Sequence, residues 1–254
     1  MINCAVMFNL PDLNDLPVWE RWYLRNHAPE VMARFQPWQT RYVSYRAVPT
    51  PVETEKFGVF NYRYTQTWFS ELPGNPTDAL SFDMPQNETR ENRVISFNLP
   101  PQATEEFCGG EATPDDLSIL RWINVIKYPD GVSAEEADAW YLEVHAKEIM
   151  EQPGITRFFS YKCIPATGPL PGWKATKEMA TAPPPPQWHR VSELWYANYD
   201  AWRDSVLINP PSYTKPGWAT QDSYPFLVPY EDFVSMFILE SPSNDFHREL
   251  RPYV

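Results

Sequence analysis

Tyr23 and His27 stand four residues apart, and so do Tyr141 and His145. On a helix that spacing puts both side chains of each pair on one face. An imidazole takes or gives a proton near neutral pH, and a phenol can donate to a developing oxyanion. The two pairs therefore suit general acid/base chemistry, with His145 and His27 moving the proton and Tyr141 and Tyr23 assisting. The competing role for each histidine is a hydrogen-bonding group inside the core. The chain has only 4 histidines, so placing two of them in the same setting is informative.

Other side chains cluster around the second pair. His189 and Glu193 alternate onto one face of a predicted strand, together with Val191 and Trp195. Glu193 is expected to orient His145, as a carboxylate orients a catalytic base. His189, Trp195 and Trp140 are expected to line the substrate pocket. Arg157 shares a strand face with Tyr161, as Arg41 does with Tyr45. Such arginines hold a carboxylate or enolate, or else form exposed ion pairs. The first half offers Gln66 and Trp68 in the matching strand, so the second pocket is the better equipped.

Cofactor signals are sparse. His27/Glu30 and His145/Glu148 have the spacing to share a helix side, but neither is HExxH and no cysteine cluster accompanies them, so no metal is expected. There is no GxGxxG, P-loop or GxSxG, and no cofactor is expected. Haem stays open, because one histidine ligand and an apolar cavity suffice; His189 and His145 are the ligands to test.

These residues sit in a repeat. Trp22, Tyr23, Leu24, His27, Ala28, Glu30 and Met32 recur 118 residues on as Trp140, Tyr141, Leu142, His145, Ala146, Glu148 and Met150. Downstream, RYVSY at 41–45 recurs as RFFSY at 157–161. Strands are expected at 4–8, 41–45, 64–71 and 92–99, and again at 120–128, 157–161, 188–196 and 232–240. Ser133 followed by Glu136 is a capping-box start for the second repeat helix, and 198–207 reads as another helix. Each half is then β-α-β-β-α-β, the ferredoxin-like plan, giving an α+β protein. A sheet with helices on one face needs cover on the other. Two such sheets face to face form an intramolecular dimeric α+β barrel. The halves are expected at 1–111 and 112–254, with 100–116 as linker. The long connections 165–187 and 208–231 read as lids, binding loops or proline-rich wraps. Pro29 is expected to kink or end its helix.

Composition narrows the function. Net charge is −12, which disfavours nucleic acid. No apolar run is long enough to span a bilayer, and the N-terminus reads as a strand and not a signal peptide. Cys4, Cys108 and Cys163 are scattered, which suits reduced thiols in the cytoplasm, and the sequon at Asn87 reads as chance. A homodimer remains compatible with the sequence.

The helix Trp22-Tyr23…His27-Ala28-Pro29 resembles that of the EthD family of the dimeric α+β barrel superfamily, whose pattern is aromatic-Tyr-x-x-x-His-x-Pro. The second copy departs from it at Lys147. Residues 191–202 and the tail from 223 to 240 are also similar to that family's third strand with its second helix, and to its closing strand. The resemblance implies a small-molecule enzyme on a hydrophobic, aromatic or polyketide-like substrate. A dehydratase, decarboxylase or related lyase leads. A monooxygenase, cofactor-free or haem-dependent, and a non-catalytic carrier of a hydrophobic metabolite are the alternatives.

Overall fold

The computed structural model describes residues 1–35, 38–50, 53–70, 93–109, 118–165 and 187–249. The first half runs β1 (Ile2–Asn9), α1 (Leu16–Trp22), a π-helical turn (Tyr23–His27), α2 (Ala28–Phe35), β2 (Gln39–Arg46), β3 (Arg63–Phe69) and β4 (Arg93–Leu99). A short strand, β5 (Glu105–Cys108), follows. The second half repeats the series as β6 (Leu120–Ile126), α3 (Ala134–Trp140), a π turn (Tyr141–His145), α4 (Ala146–Met150), β7 (Ile155–Lys162) and β8 (Arg190–Tyr196). It continues through α5 (Tyr199–Arg203) and a third π turn (Asp204–Ile208) to β9 (Phe233–Leu239), and ends with β10 (Asn244–Asp245) and α6 (Phe246–Glu249).

Local chemistry sets these starts and stops. Ser133 caps α3 by accepting the Glu136 backbone N–H, as the capping box predicts. Asn198 caps α5 by accepting from Ala201 N–H. Strands rich in β-branched and aromatic residues alternate between two buried faces.

Two five-stranded sheets result, in the orders β4-β1-β3-β2-β10 and β9-β6-β8-β7-β5. Neighbours within each sheet are antiparallel. Apart from β10 and β5, the four strands of each sheet have the ferredoxin-like order, and the fold is the dimeric α+β barrel expected. The second helix expected of the first half falls outside the described residues, as do Asn87 and most of 165–187.

Three cores follow from this layering. One lies between the first sheet and its helix, around Cys4, Val6, Trp19, Tyr23, Tyr42 and Phe246. A second lies between the sheets, around Met7, Val43, Tyr64, Ile123, Val191 and Met236. The third lies between the second sheet and its helices, around Trp122, Tyr141, Leu194, Trp202 and Phe237. The halves also stitch each other's edges. Backbone from Gly58 to Phe60 bonds Ser235 of β9, and Ile164 N donates to Asn98 O of β4. Phe57, carried on that first-half segment, is fully buried in the third core, 5.0 Å from Trp122. Burial of such a ring contributes about 2–3 kcal/mol to holding the halves together.

The expected linker at 100–116 is corrected by β5, which adds an edge to the second sheet. Its alternation explains why. Glu105 turns to a buried arginine, Arg190, and Phe107 packs on Phe158 at 4.6 Å. At the other end of the chain, β10 pairs with β2 in the first sheet, and Phe246 packs on Tyr42 at 4.7 Å. Each half thus lends an edge strand to the other.

Candidate active site

Both repeat helices switch to π-helical hydrogen bonding at the same place. Ala28 N–H reaches back to Tyr23 O, and Ala146 N–H to Tyr141 O. The extra residue in that turn changes which side chains meet the sheet, and such turns recur at functional sites. Pro29 does not cause it, since the second copy has Lys147 there and makes the same turn. Nor does Pro29 end its helix, which runs on to Phe35. In both copies the tyrosine and histidine are buried against the sheet.

His27 borders a cavity of about 20 Å³ lined also by Cys4, Val31, Tyr42, Thr65 and Thr67. That is room for roughly one water. The Tyr42 hydroxyl lies 2.7 Å from that of Tyr23. The Arg63 guanidinium stacks 4.2 Å from the Tyr23 ring centroid. Burial, aided by the Arg63 charge, pushes His27 down to about 3, so its imidazole is neutral. Burial pushes Tyr23 up to about 12, and burial with the neighbouring Tyr23 raises Tyr42 well above the ordinary phenol value. The site therefore presents a neutral base opposite a protonated phenol pair backed by a cation.

Around His145 the corresponding space is filled. At the sheet positions of Cys4, Tyr42 and Thr67 stand Trp122, Phe158 and Leu194, each fully buried. Tyr224, from the 208–231 connection, stacks on His145 at 5.7 Å, with Trp140 on it at 4.7 Å. That connection is latched to the helix. Thr214 N–H donates to Glu148, Trp140 Nε1 donates to Thr214 O, and Gln152 Nε2 donates to Tyr213 Oη. Burial alone holds His145 down to about 3, and its Nδ1 meets no hydrogen-bond partner among the described residues. Tyr141 Oη lies 2.7 Å from Ser192 Oγ, where Tyr23 meets a second phenol.

The remaining candidates fall elsewhere. Glu193, Trp195, Arg157 and Tyr161 lie on the opposite face of the second sheet, toward the first half. Glu193 therefore does not meet His145. Its Oε1 accepts from Arg121 and from Trp195 Nε1, both at 2.8 Å, and Arg157 stacks 5.3 Å from the Trp195 ring. Two-residue alternation put Glu193 on a face correctly, but not on the helix side. His189 precedes β8, accepts the Tyr128 N–H through Nδ1 at 2.9 Å, and stacks on the Tyr128 ring. Arg41 stacks on Trp68. Glu30 pairs with Arg34 one turn on, and Glu148 holds the connection, so neither turns to its histidine as a metal ligand would. Of the two haem ligands to test, His145 is enclosed by Trp140 and Tyr224, and His189 Nδ1 accepts the Tyr128 N–H.

A buried arginine in each half escaped the sequence reading. Arg63 donates to Glu20 at 2.5 Å, to Ser44 at 2.6 Å and to Asn244 at 3.2 Å. Arg190 donates to Asp138 at 2.7 Å, to Ser160 at 3.0 Å and to Glu105 at 2.7 Å, and stacks over Tyr141 at 4.6 Å. The signal was present: Glu20 and Asp138, and Ser44 and Ser160, keep the spacing of the repeat.

Residues 1–94 match the family model described as the chalcone isomerase N-terminal domain. No curated protein matches the sequence. Among solved structures the chain is similar to an anthrone oxidase-like protein, with TM-score 0.50 and 10% identity over 96% of this chain and 92% of that one. It is also aligned with a candidate monooxygenase from Lactobacillus acidophilus NCFM, with TM-score 0.36 and 11% identity over 96% and 95%. At 10% identity the likeness to the anthrone oxidase-like protein is one of fold. No helix among the described residues is long and apolar enough to cross a membrane.

Proposed function

We propose that this chain is a small-molecule enzyme that moves a proton on an aromatic, enolisable or phenolic substrate, working in the first half. His27 is the base and the Tyr42 hydroxyl, polarised through Tyr23 and Arg63, donates to the oxyanion that forms. The observation that carries this reading is the cavity shared by His27 and Tyr42, whose counterpart in the second half is taken up by Trp122, Phe158 and Leu194. The second histidine, His145, is then the structural echo.

The electrostatics define the substrate. A neutral imidazole held down to about 3 is a weak base until an anion forms beside it. An enolate or phenolate next to Tyr42 raises the affinity of His27 for the proton, so transfer is favoured when the substrate itself becomes the counter-ion. Once the cavity opens, Val6, Val31, Phe35 and Phe69 offer an apolar wall to an aromatic ring, while His27, Tyr42, Thr65 and Thr67 offer polar groups to its carbonyl. The match of residues 1–94 to a chalcone isomerase domain, and the EthD-like helix within that stretch, support the same class. The reaction is an elimination or addition of the lyase type, or its intramolecular counterpart as an isomerisation.

A cofactor-free oxygenase begins with the same proton removal, so oxygen separates the readings. Aromatic ketones and polyketide-like compounds are screened in deuterated buffer, with and without oxygen. Anaerobic turnover with deuterium entering the substrate carbon is expected, and is lost in His27→Ala but kept in His145→Gln. An absolute oxygen requirement makes the enzyme an oxygenase. Tight binding without any reaction makes it a carrier. Undiminished turnover by His27→Ala sinks the assignment of the site.

A further inference from the structure

On the face of the second sheet turned toward the first, a cleft of about 390 Å³ lies between the segment leaving the first half and strands β7 and β8. Its lining is Gln102, Ala103, Glu106, Phe159, Tyr161 and Glu193. This is across the sheet from the helix face that carries the second histidine, and the volume suits a small organic molecule. The wall is built in advance of any ligand. Glu105 and Glu106 pair with Ser160 and Phe159, Thr104 N–H donates to Ser160 O, and Lys162 N–H donates to Thr104 Oγ1.

The charges in the cleft are unbalanced. Glu193 is 7% exposed, and both of its contacts fall on Oε1, from Arg121 and from Trp195. Glu106 adds a second, exposed carboxylate at the mouth. No lysine or arginine is among the six lining residues. Arg121 balances one carboxylate, which leaves one for an incoming cation. Phe159 and Tyr161 supply two half-buried aromatic surfaces, and burial with the Glu193 charge keeps the Tyr161 phenol protonated, as a donor.

We infer that this cleft is a second ligand site, for a protonated arylalkylamine. The ring lies against Phe159 and Tyr161, and the ammonium meets the carboxylates of Glu106 and Glu193. A cation over such rings gains a further attraction, and the net charge of −12 draws cations to the surface. No step of the His27 chemistry passes through this cleft, so the inference stands apart from the proposed reaction.

Phenethylamine is the probe, titrated calorimetrically against the whole chain, with 3-phenylpropionate as an anion of similar size. Saturable phenethylamine binding is expected, with a change in tryptophan fluorescence from Trp195 behind Glu193. Glu106→Gln should weaken it about tenfold, or ~1.4 kcal/mol. Ala103→Trp, which fills the cleft from an exposed segment, should abolish it at unchanged thermal stability. His27→Ala should bind as the parent does. Absence of saturable binding, equal binding of the phenylpropionate, or indifference to both cleft variants would overturn the inference.

Discussion

Glu105, on the strand that leaves the first half, closes its carboxylate on the buried guanidinium of Arg190 in the second, with Oε2 2.7 Å from Nη1. The opposite exchange places Asn244 on Arg63 at 3.2 Å. Two residues beyond each polar contact a phenylalanine, Phe107 or Phe246, packs on the residue at the next strand position, Phe158 or Tyr42. The halves are therefore joined by polar and apolar contacts of one design, used twice. A buried arginine is costly unless fully bonded, so each half depends on the arm of the other.

That dependence should be graded by burial. Asp138 takes Arg190 Nε, Lys162 Nζ and the Tyr128 hydroxyl, while Glu105 is the more exposed partner. Asp138→Ala should cost about 3–5 kcal/mol in denaturant unfolding, because the buried Arg190 loses its more buried counter-ion. Glu105→Ala should cost about 1–2 kcal/mol. Burial tends to raise the Asp138 carboxyl, but hydrogen bonds from Arg190, Lys162 and Tyr128 prevail and hold it down to about 2. Its folded value is below the unfolded one, so this stability is present above pH 3.8 and lost as pH falls toward 2. Equal costs for the two variants would show that the hierarchy of partners is wrong.

The two repeat histidines give a separate pH signature. Each is held down to about 3 from 6.5 by burial, with Arg63 contributing at His27. Below pH 6.5 the unfolded chain takes up protons that the folded chain refuses, so stability falls with pH by about 1.4 kcal/mol per unit for each histidine. Unfolding followed between pH ~6 and ~4.5, above most carboxylates, should show that slope. His27→Gln with His145→Gln should remove about two protons' worth of it, and an unchanged slope would mean that the imidazoles protonate freely in the folded chain.

The repeat in the sequence carried the fold. Its offset of 118 located both helices, both histidines and the doubled ferredoxin-like plan, because period and spacing are local properties of the chain. The pocket was less legible. Which copy has space depends on Cys4 against Trp122 and on Thr67 against Leu194, and volume at a site is a sum over distant segments. The pairing of Glu193 with His145 failed for a related reason. Strand alternation says which residues share a face, but not which face meets the helix. The arms were hidden because 105–108 and 244–245 are too short to show a period, and their partners lie in the other half.

Tyr42→Phe copies the second half, where Phe158 holds that place. It removes the donor from the cavity and leaves the Tyr23 hydroxyl buried without its partner, which should cost about 1–3 kcal/mol of stability. With His27 intact, kcat on the substrate found by screening should fall about a hundredfold, the loss typical of one oxyanion donor. KM should move far less. A fall in kcat/KM carried wholly by KM would assign Tyr42 to ground-state binding and not to the oxyanion.

Entry to the His27 cavity requires something to move, since the space in this conformation admits about one water. Phe246 is 1% exposed and sits 4.7 Å from Tyr42 and 5.9 Å from Tyr23, at the start of α6 and directly after β10, a strand of only 2 residues. Its short arm has little backbone pairing to hold it, unlike the 7- and 8-residue strands behind it, so it is the element that can leave at least cost. Phe246→Ala should enlarge the cavity beside Tyr42 and lower stability by about 3–5 kcal/mol. The same change should raise kcat/KM for bulkier aromatic substrates relative to small ones. Parallel steady-state assays on a size series test this. A uniform loss of activity at every size, with the stability cost as given, would make Phe246 a packing residue only, and entry would then have to pass between helix and sheet from another side.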